Sequence, residues 1–395
     1  MALEEEIQRN INEIKTDSYS MSIGELANIY NDDEINISPS YQRYFRWNLK
    51  QKSDLIESII LGIPIPPVFV AQESDGKWNV IDGLQRISTI LEFMGELRVP
   101  EDFEFAVDED EENEEESEEG TTATVEVSES EQTLVIESTE VHMKKLPQSK
   151  LISTKYLPSL EGVDWGSLTS DIRRKIKRGK LDIIIIDSTE NPKAKYEMFQ
   201  RLNTNISELK PQELRNCLMA MIRSSYLDII NAVSTNTVFK KIIKLTKKQI
   251  QEQFDKELVV RYLVSRYIDT SDIDLSINIR DYFTEELINM MEDNTSDINK
   301  YGAELIKSLQ ILDEVLGDEV FKKSNAKFSL SMYEAIITGL AQNIDYWETK
   351  KDELNRKVEM ITNHQQFVEA TKKGQRAITR FKILTDLSKE MYETE

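Results

Sequence analysis

The sequence predicts an α+β N-terminal domain over residues 1–210, followed by an all-helical domain over 211–395. Three observations carry this reading. Short apolar runs bounded by Pro and Gly, at 68–70, 78–81 and 181–186, have strand length and strand composition. Amphipathic segments with helical spacing alternate with them. From Pro211 onward apolar residues recur at helical spacing almost throughout, and 395 residues suffice for two or three cores.

Residues 1–20 are expected to be a polar helix or a loose arm. A short helix follows at 23–30, capped by Ser22 with Glu25 at its third position. Asn48 caps an amphipathic helix at 49–61, whose stripe is Leu55, Ile56, Ile59 and Ile60, and Gly62 closes it. Pro64, Pro66 and Pro67 enforce an extended path into strand 68–70. Ser74-Asp75-Gly76 turns the chain into strand 78–81. The loop Asp82-Gly83-Leu84-Gln85-Arg86 comes next, with a helix expected at 87–94.

Between residues 101 and 119, 13 of 19 residues are acidic, and this run is expected to be a disordered insertion in a hairpin. Strand signals flank it at Phe103, Phe105 and Val107 and again at 124–136. A helix with the basic end Arg173-Arg174-Lys175-Ile176-Lys177-Arg178 is expected at 164–178, and a buried strand at 181–186. A further helix is expected at 193–202. In the second half the helical expectations are 213–221, 258–267, 279–291, 301–316, 331–346 and 351–367.

The formal charge is -23, but removing the acidic run leaves about -10, so net charge excludes nucleic acid only weakly. No stretch approaches the 18 apolar residues of a membrane helix, and the first residues lack a signal peptide's basic and apolar regions. A soluble, cytoplasmic protein without membrane partners is expected. Cys217 is the only cysteine, and His142 and His364 are the only histidines, so neither a disulfide nor a zinc cluster is expected. His364 reads as a helical surface residue.

The loop at 82–86 is the sharpest candidate site. Glycine after a strand permits a tight turn and close ligand approach. The amides of the following helix form an anion-binding end, and arginine can add bidentate phosphate contacts. Asp82 can hold Mg²⁺, position a water or brace Arg86. Ser88 and Thr89 can cap the helix or touch the ligand. The same residues also fit a plain turn with a structural ion pair, and both readings are open. Tyr41, Gln42, Arg43, Arg46 and Trp47 either clamp a base or form a structural aromatic cluster. Gln200, Arg201, Asn203, Glu213 and Arg215 either cap helices or complete a pocket wall. For DNA phosphates, Arg173, Arg174, Lys175, Lys177 and Arg178 are the densest candidates; Lys240-Lys241, Lys247-Lys248 and Lys372-Lys373 with Arg376 and Arg380 are sparser. The acidic run can act as a solubilising loop or compete with DNA.

Four ordered segments are similar to the N-terminal domain family of the GmrSD restriction enzymes. They are Pro39-Ser40-Tyr41-Gln42-Arg43 with Trp47, residues 58–67, residues 80–89, and Phe199-Gln200-Arg201-Leu202-Asn203-Thr204-Asn205 with 209–216. The resemblance implies a ParB/sulfiredoxin-like fold and nucleotide binding and hydrolysis, with Mg²⁺ and an NTP as cofactors. It implies action against modified phage DNA. Asp82, Gln85 and Arg86 become the expected catalytic centre, with Asp82 the metal ligand and Tyr41, Gln42, Arg43, Gly83, Ser88, Thr89, Arg201 and Asn203 around the nucleotide. Leu84 departs from the family's usual Asp-Gly-Gln-Gln-Arg, which puts turnover in doubt, and Asn205-Ile206 departs from its usual Gly-Gly. Many relatives also carry an HNH nuclease, but no His-Asn-His arrangement occurs in these 395 residues, so cleavage would need a partner nuclease or a different chemistry. Two functions follow: an NTP-binding, possible NTP-hydrolysing sensor or effector in bacterial defence, or a non-catalytic DNA- or protein-binding scaffold. A sulfiredoxin-like redox enzyme is not expected, because Cys217 falls on an apolar helix face.

Overall fold

The computed structural model describes residues 16–37, 47–72, 75–100, 126–127, 134–135, 143–186, 210–322 and 328–394. The chain divides into two compact units. One is built from 1–121 and 140–208, the other from 122–139 and 209–395.

The first unit holds a five-stranded mixed sheet. Its strands are β1 (Thr16–Ser22), β2 (Ile35–Asn36), β3 (Val68–Gln72), β4 (Trp78–Asp82) and, after four short strands outside this sheet, β9 (Lys180–Ile186). The spatial order is β1-β9-β3-β4-β2. β9 pairs antiparallel with β1 and parallel with β3, while β3 pairs antiparallel with β4.

The pairing of β1 corrects the expectation of a helix or arm. Thr16-Asp17-Ser18-Tyr19-Ser20-Met21-Ser22 has little apolar content, yet each residue is in register with β9, from Thr16 opposite Ile186 to Ser22 opposite Lys180. The partner lies more than 150 residues away, so local propensity carried no trace of it.

Among its described residues the unit also has helices α1 (Ile23–Asn31), α2 (Leu49–Leu61), α3 (Leu84–Met94) and α4 (Ser170–Arg178). Their buried faces form one core with the sheet: Leu26, Ile56, Ile59, Ile87, Ile90 and Ile176 join Val68, Val70, Val80 and Ile183. Ser22 caps α1 by accepting from the Glu25 amide at 3.1 Å. α2 has its full capping box, Asn48 with Gln51, and ends at Gly62 in the left-handed region (φ 73°). α4 begins later than expected. Asp164 and Ser167 bond each other's backbone amides in a turn, and Thr169 is the cap.

The acidic run lies outside the described residues, as do Phe103, Phe105 and Val107. Around it, β5 (Arg98–Pro100) pairs with β8 (Met143–Lys145). The strand signals at 124–136 pair with each other instead, as β6 (Glu126–Val127) and β7 (Leu134–Val135).

The second unit includes the β6–β7 pair and is helical from residue 211 on: α5 (Pro211–Ile222), α6 (Ser224–Thr235), α7 (Thr237–Ile242), α8 (Lys247–Gln251), α9 (Phe254–Tyr267), α10 (Ile279–Glu292), α11 (Ile298–Leu316), α12 (Leu330–Gln342), α13 (Ile344–Thr349), α14 (Lys351–Asn363), α15 (Gln365–Ala370) and α16 (Ala377–Met391). Two expected long helices are each broken in two. Asn343 separates α12 from α13. His364 separates α14 from α15, where its Nδ1 accepts from the Gln366 amide at 3.3 Å; it is a capping residue, not part of a continuous helix. Gly339 allows α12 and α16 to touch, since a Cβ there would lie 1.9 Å from the Ser388 carbonyl oxygen. No helix among the described residues is long and apolar enough to cross a membrane.

Candidate functional site

The loop 82–86 is a strand end and a helix start rather than a free loop. The expected helix start at 87 is corrected to Leu84, so Leu84, Gln85 and Arg86 form the first turn of α3. Gly83 is its N-cap at φ 99°, and its carbonyl accepts from the Arg86 and Ile87 amides at 3.0 Å. A Cβ on Gly83 would sit 2.7 Å from Cγ2 of Val68 and 3.1 Å from Nη2 of Arg86, so both the φ value and the close approach call for glycine. The strand before it is irregular. Phe69 lies opposite Asp82 while Val70 lies opposite Val80, leaving Ile81 as the extra residue of a bulge that re-aims Asp82.

Arg86 donates through Nη2 to Oδ2 of Asp82 at 2.7 Å and through Nη1 to the Pro66 carbonyl at 3.1 Å. Its side chain is 8% exposed and that of Asp82 19%. Of the three roles open to Asp82, bracing Arg86 is the one this geometry realises. The guanidinium in turn ties the start of α3 to the proline-rich approach to β3. Leu84 is 2% exposed and packs in the core. Ser88 and Thr89 are also buried, and the Ser88 hydroxyl donates back to the Gln85 carbonyl at 3.3 Å rather than capping the helix.

The N-terminal ends of α2 and α3 meet. The Trp47 amide, just before the Asn48 cap, donates to Oε1 of Gln85 at 3.4 Å. Further along the same seam, Nζ of Lys52 on α2 meets Oε2 of Glu92 on α3 at 2.7 Å. Both contacts advance in the same sense along the two helices, so their dipoles present positive ends on the same side. α2 satisfies its end with a capping box, whereas Gly83 has no side chain to offer α3. Sequence reasoning missed Lys52 and Glu92. Their one signal was polar residues at helical spacing on faces that also carry the apolar stripe.

α2 is held from a second side. Glu57 accepts through Oε1 from Thr154 Oγ1 at 2.5 Å and from the Tyr156 and Leu157 amides, both at 2.8 Å. These bonds, the Thr154 hydroxyl's first, hold the Glu57 carboxyl below the usual range against the opposing effect of burial. Ser53 accepts from the Ile152 amide at 3.0 Å.

Tyr41, Gln42, Arg43, Arg46, Gln200, Arg201, Asn203 and the expected helix 193–202 lie outside the described residues. Glu213 caps α5, accepting from the Lys210 amide at 3.0 Å, and so takes the capping role. Arg215 is buried in the helical unit, donating to Gln212 Oε1 at 2.7 Å and Thr284 Oγ1 at 3.3 Å. Cys217 is buried on the same helix.

On α4, Arg174, Lys175, Lys177 and Arg178 are exposed, Arg173 is half-buried, and Ile176 alone is fully buried. Arg174 pairs with Asp171. The sparser basic candidates are partly committed: Lys241 pairs with Asp313 at 2.7 Å, Arg376 bonds the Ser276 carbonyl, and Arg380 turns toward the buried Glu334. Among the described residues no group of three or more His, Cys, Asp or Glu is arranged to hold a metal.

A bulged strand ending at Asp82, then Gly83 as cap of a helix whose first turn carries Gln and a braced Arg, defines the first unit as an α+β domain organised around a helix start. Residues 26–220 match the family described as GmrSD restriction endonuclease, N-terminal domain, and this segment is a member of that family. No curated protein and no solved structure matches the chain. The matched segment runs into α5, which packs with the helical unit.

Proposed function

We propose that the N-terminal domain binds a nucleoside triphosphate by its phosphates at the first turn of α3, and that this binding serves a defence function against foreign DNA. The observation that carries the reading is the meeting of two helix N-termini at Trp47 and Gln85, one of them started by a glycine. Family membership supports the same reading. Gln85, oriented by the Trp47 amide, directs its carboxamide. Asp82 is the residue that would hold Mg²⁺, and the Asp82–Arg86 pair fixes the turn. Hydrolysis would use Asp82 and Gln85 to position a water.

The test is titration of ATP, GTP and CTP with Mg²⁺, followed by phosphate release, on wild type and Gln85→Ala. Binding lost in the variant with an unchanged melting temperature is expected. No binding of any nucleotide by wild type overturns the proposal.

A second reading, a non-catalytic DNA-binding scaffold acting with a partner nuclease, is favoured by the exposed basic turn of α4. Salt-resistant preference for modified over plain DNA in a gel shift supports it; weak, equal binding lost at moderate salt counts against it.

A further inference from the structure

We propose that Lys52 and Glu92 are a positioning pair that sets α2 against α3 and so holds Gln85 on the Trp47 amide; this rests on the nucleotide reading of that helix start. The pair is buried, with side chains 8% and 5% exposed. Burial pushes the Glu92 carboxyl up, and Lys52 opposes it. A buried ion pair of this kind contributes little net stability over apolar residues of the same shape. What it does supply is a fixed geometry between two charged atoms. On α3, Gln85, Ser88 and Glu92 follow helical spacing along one face; on α2, Asn48 and Lys52 are one turn apart. The Trp47–Gln85 and Lys52–Glu92 contacts are therefore two points of one seam. On its other side α2 is tied to residues 152–157 through Ser53 and Glu57. With α2 tethered there, the pair sets where α3 stands against it.

The experiment uses the full chain and a double variant, Lys52→Met with Glu92→Leu, which removes both charges together. Amide exchange at Trp47 is read without ligand, and the Kd is read for whichever of Mg²⁺-ATP, Mg²⁺-GTP or Mg²⁺-CTP the wild type binds. The expected result is a retained melting temperature, Trp47 exchange about tenfold faster and a Kd about tenfold weaker. Glu92→Gln, which keeps a hydrogen bond to Lys52, is expected to retain wild-type exchange. Wild-type Trp47 exchange in the folded double variant overturns the proposal. Should the double variant not fold, Glu92→Asp, one methylene shorter, takes its place with the same expected acceleration, and unchanged exchange there overturns it. If the wild type binds no nucleotide, the functional reading fails, while Trp47 exchange still decides the role of the pair.

Discussion

Arg86 and Asp82, four residues apart across a strand end and a helix start, are joined at 2.7 Å, and the same guanidinium reaches the Pro66 carbonyl. The arginine of the signature is thus built into the fold. Arg86→Ala leaves Asp82 and the Pro66 carbonyl without their donor. A fully buried pair broken this way costs about 3–5 kcal/mol; Asp82 keeps part of its surface in water, so roughly 2–3 kcal/mol is expected in urea unfolding. An unchanged midpoint would show that the pair is not structural. It follows that loss of ligand binding in Arg86→Ala is informative only beside a stability measurement.

Gly83→Ala places a Cβ at positive φ and against Val68. A cost of about 1–3 kcal/mol is expected, with the start of α3 displaced. Thermal unfolding checks this, and a wild-type melting temperature would contradict it.

Leu84→Gln restores the family's usual motif but puts an amide where the chain has a 2%-exposed core residue. The expected outcome is destabilisation by roughly 2–4 kcal/mol, from lost apolar burial and an amide removed from water, with no gain in phosphate release. Increased turnover at unchanged stability would place residue 84 in the site after all.

Glu57 makes stability depend on acid. Its carboxyl is held down in the folded state by the Thr154 hydroxyl and the Tyr156 and Leu157 amides. A lowered folded value means the contribution is present above the unfolded carboxylate range and is lost as pH falls through the folded value. Wild type should therefore melt above Glu57→Gln at neutral pH, and the gap should close as the pH falls below the ordinary carboxylate range. A gap independent of pH would assign the effect to packing.

On α4, replacing Lys175, Lys177 and Arg178 with alanine should leave stability within about 0.5 kcal/mol, because all three are exposed. If they meet DNA phosphates, affinity drops and the slope of its salt dependence becomes shallower by about 0.9 for each phosphate no longer neutralised. A weaker complex with an unchanged salt slope would move the DNA-binding surface elsewhere.

Much of this protein is legible in its residues alone. The α2 boundaries, its Asn48 cap and Gly62 stop, the strands of the β3–β4 hairpin and the helical second half all follow from local rules of capping, turn chemistry and period. The Asp82–Arg86 pair is readable as a spacing. Strand β1 is not, because among the described residues it pairs with the distant β9, and non-local pairing leaves no local pattern. Nor could the sequence say that Leu84 faces the core while Gln85 faces Trp47, or that α3 begins at 84. The bulge at Ile81 and the left-handed Gly83 decide that rotation, and both depend on how β3 packs against the turn. The residue types of the candidate site are thus a property of the sequence; which of them brace, which are buried and which meet a neighbouring helix start is decided by tertiary packing, which alone sets the direction of each side chain.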